Sequence, residues 1–173
     1  MHTEYSFRKA QISDIPEIWL ILQKAIQRRK EEGSKQWQDG YPNPEVIQND
    51  IEKEIGFVLT NNQKIIGYTA VLINDEPEYA RIEGKWVTNA DFVVFHRVAI
   101  SEDYLGKGLA KIMIGYIEDY ALENQIYSVK ADTNFDNHAM MAIFNRLGYV
   151  YCGEVYFRGS ARRAYEKVLD LKV

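Results

Sequence analysis

A glycine-rich turn joins an apolar segment to a helix-forming one in the stretch Val98-Ala-Ile-Ser-Glu-Asp-Tyr-Leu-Gly-Lys-Gly-Leu-Ala110. The first N–H groups of a helix have no partner within the helix, and with the helix dipole they form a site for anions. Glycine at positions 106 and 108 and the small Ala110 let a phosphate group approach the backbone. Lys107 adds charge at the rim. Taken alone, this pattern fits a plain tight turn as well as a ligand site.

Two familiar phosphate-binding motifs do not fit this turn. The Walker pattern requires Lys after its second Gly, but Leu109 follows Gly108 here. The dinucleotide pattern G-x-G-x-x-G requires Gly at position 111, where the chain has Lys. The turn therefore does not predict a nucleoside triphosphate or a dinucleotide as ligand.

Two side chains are candidate acid–base groups. His96 lies in the apolar run 92–100, and histidine ordinarily titrates close enough to neutral pH to act as a general base. The alternative interpretation of His96 is a hydrogen-bonded core residue. Asp132 follows the next predicted strand and is the second candidate base, with a turn or capping carboxylate as its alternative.

Three large aromatic residues, Trp37, Tyr41 and Trp86, lie in segments with no helical or strand periodicity. Aromatic side chains in loops can wall a pocket and offer a cation–π surface to an amine. They can also anchor a loop to the hydrophobic core. Both interpretations are open at the level of the sequence.

Composition narrows the classes of function. The chain has 173 residues, of which 46% are hydrophobic and 27% are charged, as expected for a single globular domain over residues 1–173. A formal charge of −4 argues against a nucleic-acid partner. No apolar stretch is long enough to span a membrane, and the N-terminus lacks the features of a leader, so we expect a cytoplasmic protein without a membrane partner.

Metal-binding and disulfide patterns are also missing from the sequence. The one cysteine, Cys152, has no partner for an internal disulfide and suits a reducing compartment. Histidines occur only at positions 2, 96 and 138, without the spacing typical of metal ligands. We therefore expect no metal.

Hydrophobic periodicity predicts the element order β α α β β β α β α β β. The predicted strands are 5–9, 57–60, 65–73, 92–100, 126–131, 149–157 and 163–169, and the predicted helices are 14–32, 45–55, 107–123 and 137–147. This order indicates an α+β fold with a mixed, mostly antiparallel sheet flanked by helices on both faces. The long connection 74–91 is of a length that often carries function.

The segment from Phe95 to Ala110 resembles the acetyl-CoA-binding segment of the GNAT superfamily of N-acetyltransferases, commonly written R/Q-x-x-G-x-G/A. Gly108 and Ala110 fill its small positions, and Leu105 stands where Arg or Gln is usual. The resemblance continues through residues 37–42, 132–137, 148–153 and 164–167. It spans nearly the whole chain and implies the GNAT fold of a bacterial-type single-domain member, in which two parallel strands splay apart to admit the cofactor.

The resemblance implies an acetyl-CoA-dependent transferase that moves an acetyl group directly to a primary amine of a small molecule or peptide. The identity of the acceptor and the oligomeric state, including a homodimer, are left open. A non-catalytic acyl-CoA-binding or sensing module with the same fold is the alternative from another class.

The resemblance also implies roles for individual residues. The cofactor's pyrophosphate would lie on the backbone N–H groups of Leu105, Gly106, Lys107, Gly108, Leu109 and Ala110. Its pantetheine would follow the strand that carries Val98 and Ile100, with the Val98 N–H bonded to the thioester carbonyl. Asn137 matches a cofactor-contacting asparagine, and Trp37, Tyr41 and Trp86 lie where the family binds its acceptor. His96 shares a face with Val98 if no bulge intervenes.

One departure from the family concerns the leaving thiolate. Members usually have a tyrosine four residues before the glycine that ends the next helix, and it protonates the thiolate. Phe144 occupies this position, and it can contact the cofactor but has no proton to give. Another tyrosine (149, 151 or 156) or water would then act, or the thiolate would leave unprotonated.

Overall fold

The computed structural model describes residues 5–170, which form four helices and eight strands. The helices are α1 (Ile15–Glu31), α2 (Pro44–Glu52), α3 (Leu109–Glu123) and α4 (His138–Leu147). The strands are β1 (Tyr5–Lys9), β2 (Gly56–Asn61), β3 (Lys64–Ile73), β4 (Glu83–Gly84), β5 (Val93–Ile100), β6 (Ser128–Asn134), β7 (Val150–Phe157) and β8 (Ser160–Val168). They form one sheet in the order β1-β2-β3-β5-β6-β8-β7-β4.

The sheet is mostly antiparallel, which confirms the predicted α+β class. Strand β1 pairs antiparallel with β2, β2 with β3, β6 with β8, and β7 with both β8 and β4. The parallel pair is β5 with β6, which meet at Val93 with Val129 and at Val94 with Lys130. The predicted order of elements is confirmed except for β4, a strand of two residues.

Helix ends follow local capping chemistry. The Asn43 side chain accepts the Val46 N–H at 3.0 Å at the start of α2, and Asn137 accepts the Met140 N–H at 3.1 Å at the start of α4. Asp14 occupies the N-cap position of α1, but its side chain makes no capping hydrogen bond there. Its carboxylate instead accepts the Gln11 N–H at 2.8 Å and the Arg8 guanidinium, and the hydrogen bond from Arg8 lowers the pKa of Asp14.

The described chain divides into two compact units. The first unit comprises residues 5–71 and 97–114. Its core is apolar side chains of α1 and α2 packed with the side chains of β2, β3 and β5 that fall within the unit. The buried members are Ala10, Ile18, Ile21, Leu22, Ala25, Trp37, Ile47, Ile51, Val58, Ile65, Tyr68 and Ala99.

The second unit comprises residues 72–96 and 115–170. One of its cores is Tyr79, Trp86, Val94, Cys152, Val155 and Ala164. The hairpin of β7 and β8 turns at Arg158 and Gly159, and both residues have positive φ. Cys152 is buried, and burial raises the pKa of its thiol.

Three other observations bear on the sequence-based expectations. No helix among residues 5–170 is long and apolar enough to cross a membrane. His2 lies outside the described residues. That residues 1–173 form one domain stays a prediction.

Candidate active site

The turn between β5 and α3 is exposed to solvent. Leu105 is 48% exposed, and residues 106–108 are exposed as well. Gly106 and Gly108 have φ values of +78° and +73°, in the left-handed region that costs other residues roughly 1–2 kcal/mol. A Cβ added at Gly106 would meet nothing within 4 Å, and one at Gly108 would approach only the Lys111 side chain. These glycines are therefore required by backbone conformation and leave the backbone uncovered.

The amide groups of this turn are unpaired. The Leu105 N–H donates to the Glu102 carbonyl at 3.3 Å, and the Ile112 N–H donates to the Gly108 carbonyl at 3.2 Å. Between them, the six N–H groups of residues 106–111 donate to no acceptor among residues 5–170. Unpaired donors at the start of a helix of 15 residues form an anion site. Leu105 was also expected to offer its N–H to the pyrophosphate, but this N–H is already bonded to the Glu102 carbonyl.

The structure brings the two predicted acid–base candidates together in the second unit. His96 Nδ1 lies 3.7 Å from Asp132 Oδ2. A third group, which the sequence analysis did not identify, completes the arrangement, since Glu76 Oε2 lies 2.7 Å from His96 Nε2. The His96 side chain is 17% exposed. An imidazole oriented by a carboxylate in this way is suited to accept and release a proton.

Asp132 lies inside β6, opposite Ala164 of β8, and not in a turn. Its side chain is 2% exposed, and its Oδ2 accepts a hydrogen bond of 2.6 Å from the Tyr79 hydroxyl. The Arg162 guanidinium lies 3.5 Å from Oδ1. Burial raises the pKa of Tyr79 well above its usual range, and the charge of Asp132 adds to this effect. Tyr79 therefore remains a protonated donor and holds the Asp132 carboxylate in place.

Next to His96, β5 contains a residue with a left-handed backbone conformation. Arg97 has a φ of +57°, so the regular alternation on which a common face of His96 and Val98 depends is not met. Its guanidinium makes two hydrogen bonds to Asp50, from Nε at 3.0 Å and from Nη2 at 2.6 Å. Tyr68 donates to the same carboxylate at 2.6 Å. This buried ion pair of the first unit stabilises an otherwise unfavourable backbone conformation.

Similarity to known proteins assigns the family. A family model described as the acetyltransferase (GNAT) family matches residues 21–149, which is more than half of the 173 residues. The chain belongs to the GNAT acetyltransferase family. Members of this family use acetyl-CoA and act on amine acceptors.

Solved structures agree with the family assignment. This GNAT chain is 33% identical to a GNAT-family acetyltransferase from Streptococcus agalactiae, with a TM-score of 0.89 over 98% of this chain and 99% of that chain. A GNAT-family acetyltransferase from Listeria monocytogenes is 20% identical, with a TM-score of 0.77 over 98% and 99% of the two chains. YncA of Salmonella typhimurium, solved with its cofactor acetyl-CoA, has the same fold at 16% identity, with a TM-score of 0.67 over 98% and 96%. No curated protein sequence matches the chain.

The three loop aromatics of this GNAT protein have different environments. Trp37 is 7% exposed and belongs to the core of the first unit, so it anchors its loop and is not an open pocket wall. The Tyr41 hydroxyl accepts a hydrogen bond from Arg97. In the second unit, the Trp86 Nε1–H donates to the Tyr79 carbonyl at 2.8 Å, and Trp86 lines a cavity of about 380 Å³.

Phe144 lies in an aromatic cluster of the second unit. It is 1% exposed, and its ring centroid lies 4.7 Å from that of Tyr165, 5.4 Å from that of Tyr149 and 6.2 Å from that of Phe95. The Tyr149 hydroxyl donates to Glu118 at 2.9 Å, and burial raises the pKa of Tyr149 well above its usual range. Tyr149 is therefore a weaker acid than a free tyrosine.

The other two tyrosines considered as proton donors are exposed. Hydrogen bonds from Tyr156 to Glu83 and Glu154 raise the pKa of Tyr156 to about 12. Tyr151 is 45% exposed, and the Arg163 guanidinium lies 4.1 Å from its ring centroid. Tyr156, like Tyr149, is a poor donor for a leaving thiolate.

Sequence reasoning missed Glu76, Tyr79, Asp50 and Arg97. The length of the connection 74–91 is typical of a functional segment, and its acidic residues are the feature of the sequence that could have identified Glu76. No pattern linked Tyr79 to Asp132, because the two are 53 residues apart in the chain. Among residues 5–170, no group of three His, Cys, Asp or Glu side chains is arranged to hold a metal ion.

Proposed function

We propose that this GNAT protein transfers the acetyl group of acetyl-CoA directly to a primary amine of a small molecule or peptide. The observation that carries the proposal is the run of six unpaired N–H groups at residues 106–111, which covers the exposed turn 106–108 and the first residues of α3. Backbone donors of this kind suit a diphosphate, and the glycine backbone leaves room for its close approach.

Several residues are proposed to hold the cofactor. The N–H groups of Gly106, Lys107, Gly108, Leu109 and Ala110 would bind the pyrophosphate, and the exposed Lys107 side chain would add positive charge. Val98 and Ile100 of β5 would contact the pantetheine, and Asn137 and Phe144 would contact it from α4. Leu105 would contribute its side chain, since its N–H is already bonded to Glu102. When bound, acetyl-CoA supplies the activated acetyl group.

His96 is the proposed general base. An ionised Glu76 accepts a hydrogen bond from Nε2–H and so fixes the tautomer that leaves Nδ1 as the basic nitrogen. Asp132, held by Tyr79, lies 3.7 Å from Nδ1, and its proposed role is to stabilise the positive charge of the imidazolium that forms when Nδ1 takes up a proton. Overall, the new bond would join the amine nitrogen to the acetyl carbon, the carbon–sulfur bond would break, and CoA would leave as its thiolate. Counted from the ammonium form, the acceptor loses two protons. His96 takes one before attack, and the other, released as the amide forms, neutralises the thiolate through water. The Val98 N–H is the proposed oxyanion donor.

Replacing Gly108 by valine should weaken CoA binding roughly 5- to 30-fold, because a residue with a side chain costs about 1–2 kcal/mol at positive φ and so shifts the turn away from this conformation. Isothermal titration calorimetry with CoA measures this effect. Gly33→Val is the matched control, since Gly33 has a φ of +77° and open space around its Cβ position. It should lose similar stability and bind CoA normally. Equal CoA affinity in both variants would contradict the proposed cradle.

A thiol-release assay tests the transferase proposal itself. Acetyl-CoA is incubated with amines, polyamines, amino acids and peptides, and free thiol is followed with time. The proposal requires turnover with at least one amine and an acetylated product by mass spectrometry. CoA binding without turnover on any amine would favour the sensing module, which the absence of a hydroxyl at Phe144 also favours.

A further inference from the structure

The cavity of about 380 Å³ in the second unit has a buried cation in its wall. It is lined by Asn74, Asp75, Glu76, Pro77, Tyr79, Ala80, Trp86, Asn89, Ala90, Phe92 and Lys130. Lys130 is only 4% exposed. Its Nζ lies 4.4 Å from the ring centroid of Trp86 and 4.3 Å from that of Phe92. Two aromatic faces therefore orient this ammonium group.

The ammonium group of Lys130 lacks a hydrogen-bonding anion. Glu166 lies opposite Lys130 in the β6–β8 pair, but its carboxylate accepts the N–H groups of Val87 and Thr88 and the hydroxyls of Thr88 and Ser128. No acceptor within residues 5–170 makes a hydrogen bond to Lys130 Nζ. Burial lowers the pKa of Lys130. A buried charge of this kind is stabilised by an anion that enters the cavity.

The same cavity is lined by the hydrogen-bond partner of the proposed base, although not by His96 itself. Glu76 lines it, and Glu76 is also the residue whose Oε2 lies 2.7 Å from His96 Nε2. Tyr79, Trp86 and Phe92 supply apolar walls. The cavity thus offers a carboxylate for an ammonium group, a cation for a carboxylate, and aromatic surface between them.

We propose that the acceptor is a free amino acid, bound with its carboxylate at Lys130 and its amine toward Glu76, the hydrogen-bond partner of His96. This inference rests on the proposed acetyl transfer, because it names the acceptor class for that reaction. The volume of about 380 Å³ accommodates a compact zwitterion and lies at the lower end of small-molecule pockets. Lys130 is then the residue that selects for a carboxylate.

The test compares each amino acid with the amine that lacks its carboxylate. Suitable pairs are phenylalanine with phenethylamine, leucine with 3-methylbutylamine, and lysine with cadaverine. Thiol release from acetyl-CoA gives kcat/KM for each compound, and calorimetry gives its affinity. We expect at least one amino acid to exceed its decarboxylated partner by about tenfold or more, as for loss of a charged hydrogen bond.

Substitutions at Lys130 separate carboxylate recognition from general damage. Lys130→Met keeps the length of the side chain and removes its charge, so KM for the amino acid should rise about tenfold or more while the decarboxylated amine is unaffected. Lys130→Arg keeps the positive charge and should retain the preference for the carboxylate. This variant is tested in place of Lys130→Met if the methionine variant does not fold. Lys85→Met is the matched control. Lys85 is an exposed lysine next to Trp86 in the connection 74–91, and it does not line the cavity.

The outcomes distinguish the two proposals. Turnover that is equal for every pair, or a preference that survives Lys130→Met, overturns the amino-acid inference and leaves acetyl transfer intact. Absence of turnover on every amine overturns acetyl transfer. Calorimetry then still tests the amino-acid site. Amino-acid binding that Lys130→Met abolishes supports the site, and the absence of amino-acid binding to the wild type overturns it.

Discussion

Replacing His96 by glutamine should lower kcat/KM for acetyl transfer by roughly 10²- to 10⁴-fold, the contribution typical of a general base. Glutamine can still donate a hydrogen bond to Glu76, so the local packing is retained, but it cannot take the proton of the amine. CoA affinity should stay unchanged, because the proposed diphosphate donors are the N–H groups of residues 106–111. Initial rates of thiol release and calorimetry with CoA provide the two measurements.

A matched substitution controls for the loss of a histidine. His138 is exposed at the start of α4, and His138→Gln should leave the rate unchanged. The pH profile gives a further readout, since the limb that reports the base should disappear in His96→Gln only. A His96→Gln variant with the rate and pH profile of the wild type would assign the proton transfer to another group.

Replacing Asp50 by alanine should destabilise the protein by about 3–5 kcal/mol, because it leaves the partner of a buried ion pair without its counter-charge. The Arg97 side chain is 12% exposed and Asp50 is 2% exposed, so water cannot replace the lost contacts well. Tyr68 loses its acceptor as well. Burial, followed by the charge and hydrogen bond of Asp50, raises the pKa of Tyr68, which keeps this hydroxyl protonated. Chemical denaturation measures the change in the free energy of unfolding.

The exposed pair of Lys24 and Glu102 supplies the comparison for Asp50. Their atoms lie 3.5 Å apart with side chains 45% and 42% exposed, and Lys24→Ala should cost less than about 1 kcal/mol. Asp50→Ala should also slow transfer in the fraction that remains folded, since Arg97 and its unusual φ lie between His96 and Val98. If Asp50→Ala were as stable as Lys24→Ala, the role of the ion pair in fixing β5 would be refuted.

The order of elements was predictable because the burial pattern repeats along the chain. In α1 the apolar positions recur every three or four residues, and the helix extends over Ile15–Glu31, close to the predicted 14–32. The strand of two residues, β4, escaped prediction because it has no side-chain periodicity of its own. It is defined by pairing of Glu83 and Gly84 with Glu154 and Gly153 of β7, which is information from a distant part of the chain.

The candidate site was predictable only where one segment carries the signal. The turn at residues 106–108 combines glycines, a helix start and a preceding strand within a short stretch, so its exposure and backbone conformation agree with the prediction. His96 and Asp132 were identified one at a time from residue type and position. Their partner Glu76 is 20 residues from His96 in the chain, and the contact depends on how the connection 74–91 folds.

Two features could not be derived from local pattern at all. The left-handed conformation of Arg97 lies within an apolar strand, where a regular backbone is the default, and it depends on an aspartate 47 residues away. Trp37 was expected near an acceptor because it lies in an irregular loop, but hydrophobic burial places its ring in the core of the first unit. Tertiary packing decided both outcomes.

Binding of CoA to the wild-type protein tests the account most directly. A thermal-unfolding titration with CoA should raise the melting temperature until, at about 100 times the dissociation constant, the native state gains roughly 2.7 kcal/mol. The gain should be much smaller in Gly108→Val and normal in Gly33→Val. A melting temperature that CoA leaves unchanged in the wild type would contradict the assignment of residues 106–111 as a diphosphate cradle.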